Sequence, residues 1–233
     1  MFPLWDDNPT SRFTWMTWTL LAANVSVFGW ELWIQATTGA RALAAFTAAF
    51  TFDPSALAAA PGSPRVWLTL LTAMFLHAGW VHLGGNMLYL AIFGNNVEDR
   101  LGPWRFLAFY LACGIAATLA QSFAMGFPAL RVLGASGAIA GVLGAYLLLY
   151  PRARVVTAVF VIFIVELARI PAWIVIGLWF VLQLGAGIAT IGPGQPAAGV
   201  AYFAHVGGFL AGMALIAPAW MSDRRRSRFA GWR

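Results

Sequence analysis

Long apolar stretches separated by short polar breaks divide the chain into six segments of helical length, at 13–34, 81–97, 104–123, 133–150, 172–190 and 201–221. About twenty residues at 1.5 Å each cross a ~30 Å hydrocarbon core, so the pattern predicts membrane-spanning helices. The first segment carries Trp15, Trp18, Trp30 and Trp33 toward its two ends, where interfacial aromatic belts form. It lacks a small-residue cleavage site and is expected to be a retained helix, not a removed signal peptide. Residues 1–12 are a polar lead with Asp6, Asp7 and Arg12. Between 35 and 80, Asp53-Pro54, Pro61-Gly62 and Pro64-Arg65 break any spanning helix. The apolar pieces around 41–50 and 66–76 suit interfacial or half-buried helices. Residues 155–165 are apolar or Thr, mostly β-branched, and lie between Arg154 and Glu166. That run is too short for a helical span and is expected to be an interfacial or re-entrant piece. The expected fold is an all-α membrane protein: a lead over 1–12, a six-transmembrane-helix core over 13–221 with a long first extracytoplasmic loop, and a basic tail over 222–233.

Composition agrees with this division. Of the 233 residues, 61% are hydrophobic and 9% charged, whereas a soluble domain carries about 25% charged residues. The net charge of +6 rests on fourteen basic residues, all arginine. They flank the apolar segments and form no single patch, so a nucleic-acid partner is not expected. With six spans, Arg12, Arg100, Arg105, Arg152, Arg154, Arg169 and five tail arginines share one side, against Arg41, Arg65 and Arg131 on the other. Basic residues favour the cytoplasm, so both termini are expected there, and segments two, four and six then begin on the outer side. Glu166 and Arg169 stand three apart and read as a solvated pair. The single cysteine, Cys113, excludes an intramolecular disulfide, so stability must come from packing.

Polar residues inside such segments are costly and mark candidate sites. His82 and Asn86 open segment two, Ser136 opens segment four and His205 opens segment six. The topology puts all four at similar depth toward the outer side. Gly134, Gly137, Gly141 and Gly144 line one face of segment four, and Gly208 and Gly212 form a small-residue face on segment six. His205 lies within about one sixth of a turn of that face at 100° per residue. Two glycine faces permit close backbone approach, so His205 is expected to reach the Ser136 hydroxyl. Serine is a weak nucleophile until a base takes its proton, and neutral histidine is well tuned for that task. His82 and Asn86, four apart on one helix, point the same way and with the Ser136 backbone N–H supply donors for an oxyanion.

Gly134-Ala135-Ser136-Gly137, Ala204-His205 with Gly208 and Gly212, and His82 with Asn86 together resemble the rhomboid intramembrane serine proteases. Phe93-Gly94-Asn95-Asn96-Val97-Glu98-Asp99 is similar to the end of the second core helix in bacterial members. The likeness covers about 65–220. It implies a six-helix rhomboid bundle with a Ser–His dyad and no third acid. It also implies cleavage of membrane-anchored substrates in or beside their transmembrane segment. Ser136 is then the nucleophile and His205 the general base, with His82 and Asn86 as oxyanion donors. Two positions depart from the family pattern. Trp67 is followed by Leu68 where a Trp-Arg pair often stands, and the position four after the serine, often an aromatic stacked on the base, is Ala140. The arrangement is also not the soluble hydrolase elbow, which needs glycine where Ala138 stands.

The expected activity is therefore that of an intramembrane serine endopeptidase with no metal, nucleotide or other cofactor. Its expected partners are transmembrane protein substrates and the lipid bilayer, and its expected place is the bacterial inner membrane with the active site toward the outside. The competing readings are a catalytically inactive rhomboid-like protein that binds clients and a small transporter. Reaction of Ser136 with a fluorophosphonate separates the first rival. A transporter usually shows internal repeats around a midplane site, and the chain has no such repeat.

Overall fold

The structure, a computed structural model, describes residues 2–161, 164–191 and 199–230. Helices occupy all six predicted stretches. They are α1 (Trp15–Thr38), a second helix formed by α5 (Trp80–Tyr89) and α6 (Asn95–Leu101), α7 (Pro103–Ala124), α8 (Ser136–Leu149), α9 (Ala172–Ala189) and α10 (Tyr202–Ala230). A π-helical turn over Leu90–Gly94 joins α5 to α6 without a break. By length and apolar composition, Pro103–Ala124, Ala172–Ala189 and Tyr202–Ser222 each suffice to cross a membrane. Of the basic tail expected over 222–233, the final residues with Arg233 lie outside the described residues.

The connection at 35–80 is helical in pieces: α2 (Ala40–Phe50), α3 (Pro54–Ala59) and α4 (Pro64–Thr72), then a 3-10 turn over Ala73–Phe75. Asp53 caps α3 by accepting from Ser55 N–H at 2.9 Å, and Pro54 supplies the fixed φ of a first helical position. This segment holds the approach to α8. Phe52 and Val132 exchange backbone hydrogen bonds, and Gly134 N–H donates to the Ala73 carbonyl at 2.8 Å. Phe52, Leu57, Leu70 and Ala73 bury a small apolar cluster beneath that bridge.

Helix α8 is the central element. Every residue from Gly137 to Tyr146 is buried, and α7, α10 and the π-helical turn pack around it. The predicted glycine faces meet: a Cβ at Gly208 would overlap the Gly137 carbonyl, and one at Gly212 the Gly141 carbonyl. At 14 residues, α8 is about 21 Å long, shorter than a ~30 Å hydrocarbon core. Its first residue, Ser136, is half-buried.

The run at 155–165, expected as an interfacial or re-entrant piece, is extended strand in its described residues. It belongs to a hairpin of β2 (Arg154–Val161) and β3 (Ile164–Pro171), and β1 (Phe2–Asp6) adds to β2, giving an antiparallel sheet in the order β1-β2-β3. The fold is thus mostly helical but not all-α. The β-branched run is a strand signal. Its alternation is hidden because Val155, Val156, Thr157 and Ala158 are all buried, as in strands covered on both faces. Strand geometry also undoes the Glu166–Arg169 pair, since residues three apart point to opposite faces. Arg169 instead lies 3.7 Å from Asp7.

The polar lead locks onto the end of α6. Helix α1 has no local side-chain cap at Thr14. Its free N–H groups at Met16 and Thr17 are taken at 2.9 and 2.6 Å by the carboxylate of Glu98, which is 1% exposed. A carboxylate at a helix N-terminus answers both the unpaired donors and the dipole. Asp6 accepts from the Tyr146 hydroxyl, and Asn8 donates to Asn96. Asp99 accepts from Ser11 and Arg12. Burial pushes its carboxyl upward, but these bonds outweigh it and hold the group below the usual carboxylate range.

Candidate active site

Ser136 is the first residue of α8. The preceding Gly134 has φ +114, a conformation that L side chains rarely adopt, and a Cβ there would strike the His82 ring. Glycine is required twice over, by the backbone and by the close approach. The turn presents the Ser136 hydroxyl to α10, where His205 sits in the first helical turn. His205 Nε2 lies 2.9 Å from Ser136 Oγ. The expected meeting of these two side chains is present, and the glycine faces of α8 and α10 explain how two helices come that close. Gln121 on α7 adds support by accepting from Ala204 N–H at 3.1 Å, which caps the start of α10.

A cavity of about 920 Å³ opens over the pair, and His82, Asn86, Ser136 and His205 all line it. The four residues singled out in the sequence therefore share one space. Asn86 is 7% exposed and its Nδ2 has no hydrogen-bond partner. A buried amide left unpaired costs about 1–3 kcal/mol, which a ligand oxygen entering the cavity would relieve. Ala78 N–H approaches His82 Nδ1 at 3.4 Å. Accepting at Nδ1 leaves the His82 proton on Nε2, the atom beside Gly134. His77 does not line the cavity; its ring meets that of His82 edge-on at 5.1 Å. Among the described residues, no group of three or more His, Cys, Asp or Glu is placed to hold a metal ion.

Besides Gln121, two site residues escaped the sequence reading. Gln183 Oε1 on α9 lies 2.6 Å from His205 Nδ1. Trp179, also on α9, packs its ring 5.9 Å from that of His205 at an interplanar angle of 36°. Gln183 is the one polar amide within Ala172–Ala189. A lone glutamine in so apolar a helix was the available signal.

A family model described as the rhomboid domain matches residues 64–222. Curated relatives agree. Rhomboid protease GluP of Bacillus subtilis is 46% identical over 81 residues, 35% of this chain and 15% of that protein. The chloroplastic Rhomboid-like protein 11 of Arabidopsis thaliana is 32% identical over 155 residues, 64% of this chain and 51% of the relative. Rhomboid-type serine protease 2 of Emericella nidulans is 29% identical over 159 residues, 66% of this chain and 27% of the relative. The chain spans about half or less of the length of these three relatives. With the match covering most of its length, the chain belongs to the rhomboid family of multi-pass membrane proteins.

Proposed function

We propose that this protein is an intramembrane serine endopeptidase that cleaves membrane-anchored proteins in or next to a transmembrane segment. The observation that carries the reading is the 2.9 Å contact between His205 Nε2 and Ser136 Oγ at the wall of a large cavity. Ser136 Oγ attacks the scissile carbonyl carbon while His205 Nε2 takes its proton. The carbonyl oxygen becomes an oxyanion, to which the Asn86 amide, His82 Nε2–H and the Ser136 backbone N–H donate. The imidazolium returns the proton to the leaving amine, and the peptide bond breaks to leave an ester on Ser136. Water admitted by the cavity gives a proton to His205 and attacks the ester, and the imidazolium returns that proton to Ser136 Oγ as the acid product leaves.

In this reading six helices cross the bilayer, with the core over 13–221. The arginines at 12, 100, 105, 152, 154, 169 and in the tail outnumber the three on the opposite side, which supports cytoplasmic termini. The sheet of β1, β2 and β3 then lies at the cytoplasmic end and Ser136 toward the outer face. The short α8 lets water reach the serine without crossing the whole core.

The test is cleavage of a single-pass substrate by the purified protein in liposomes. Wild type is expected to cut, and Ser136→Ala is expected not to. Proteolysis by Ser136→Ala equal to wild type sinks the assignment. Asn86→Ala is expected to lower kcat by on the order of 10²-fold with KM little changed, because an oxyanion donor acts chiefly in the transition state. A rise in KM alone reassigns Asn86 to substrate binding.

A further inference from the structure

Both ring nitrogens of His205 are engaged. Nε2 faces the Ser136 hydroxyl at 2.9 Å and Nδ1 faces Gln183 Oε1 at 2.6 Å. A neutral imidazole carries one donor and one acceptor. The amide oxygen of Gln183 only accepts, so the His205 proton rides on Nδ1. Nε2 is then left with a lone pair aimed at the serine hydroxyl, which is the tautomer a base at this position requires. The contact comes from α9, an element that contributes neither the serine nor the histidine. Trp179 stands one turn before Gln183, so both side chains leave the same face of that helix. Its ring walls one side of the imidazole. The position four after Ser136 is the buried Ala140, which offers no aromatic surface to the histidine.

We propose that Gln183 is the positioning residue for His205, setting its tautomer and ring orientation, with Trp179 confining the ring beside it. The proposal rests on the Ser136–His205 reading above. An acceptor of fixed position holds Nδ1–H both before and after proton transfer, so the ring does not turn while the proton crosses at Nε2. Being neutral, Gln183 orients the base without adding a charge. A carboxylate at the same place would keep the orientation and also favour the imidazolium. The two contributions can therefore be told apart by substitution.

The test uses the full chain in detergent or liposomes. Nitrogen-15 NMR of histidine-labelled protein near neutral pH is expected to find His205 as the Nδ1–H tautomer in wild type and as a mixture in Gln183→Leu. Gln183→Leu is expected to lower kcat by roughly 10- to 100-fold with KM within about twofold. Gln183→Glu is expected to recover most of that loss at high pH and to move the acid limb of the pH–rate profile upward by about one pH unit. A residue that merely filled space would change neither the tautomer nor the acid limb. An Nε2–H tautomer in wild type, or wild-type kcat in a folded Gln183→Leu, overturns the proposal. The readouts also separate the two readings. An Nδ1–H tautomer in a wild-type protein that cleaves nothing supports the pairing and overturns the protease reading instead.

Discussion

His205→Ala is expected to reduce peptide-bond cleavage by on the order of 10⁴- to 10⁶-fold, the scale seen when the base of a serine hydrolase is removed. Ser136 Oγ has His205 Nε2 as its partner at 2.9 Å. Among the described residues, no second group capable of taking the serine proton at neutral pH is hydrogen-bonded to it. The proposed oxyanion donors at Asn86, His82 and the Ser136 backbone remain in the variant, so the residual rate reports what they and binding achieve alone. The fold is expected to persist, because the glycine packing of α8 on α10 does not involve the imidazole. Turnover in liposomes beside a thermal unfolding curve measures both. Cleavage within tenfold of wild type would assign the proton transfer to another group.

The second large effect is structural in origin. Gly212→Leu is expected to abolish activity and destabilise the bundle, because the Cβ at Gly212 would overlap the Gly141 backbone. Backbone in the middle of a buried helix cannot swing aside as a side chain can. Overpacking typically costs 1–3 kcal/mol, occasionally more, and here relief requires α10 to move away from α8. Such a shift parts His205 from Ser136, and about 1 Å of misplacement costs on the order of 10²-fold in rate. Gly177→Ala on α9 is the comparison, since a Cβ there meets nothing within 4 Å. It is expected to leave the unfolding temperature unchanged or slightly raised, by the helix preference for alanine. An unfolding temperature for Gly212→Leu equal to wild type would mean that the two helices are not held at contact distance.

The four polar residues that line the candidate site were legible in the sequence for one physical reason. Polar groups are rare in an apolar segment, and His82, Asn86, Ser136 and His205 each sit near the start of one. The glycine spacing also foretold which two helices touch, since a close approach leaves its mark on both partners. Gln183 and Trp179 were missed because nothing local to α9 links it to His205; that link exists only after α9 and α10 pack side by side. The sheet was missed for a different reason. Its middle strand is buried at four successive positions, Val155 to Ala158, so the period that distinguishes strand from helix was absent. Its first strand looked like a polar lead because Asp6 pairs with Tyr146, a partner 140 residues away. The role of Glu98 was likewise invisible, as it caps a helix that begins more than eighty residues earlier. Short-range pattern identified elements and rare chemistry, and long-range pairing decided how the elements were oriented.

The central claim is that Ser136 is a hydroxyl made nucleophilic by His205. Its most direct measurement is the site of reaction with a fluorophosphonate probe, read by mass spectrometry on the purified full-length protein. The account predicts a covalent adduct on Ser136 in wild type and no adduct on that residue in His205→Ala. An adduct on another residue, no adduct on a folded wild-type protein, or equal labelling of Ser136 with and without the imidazole would contradict it.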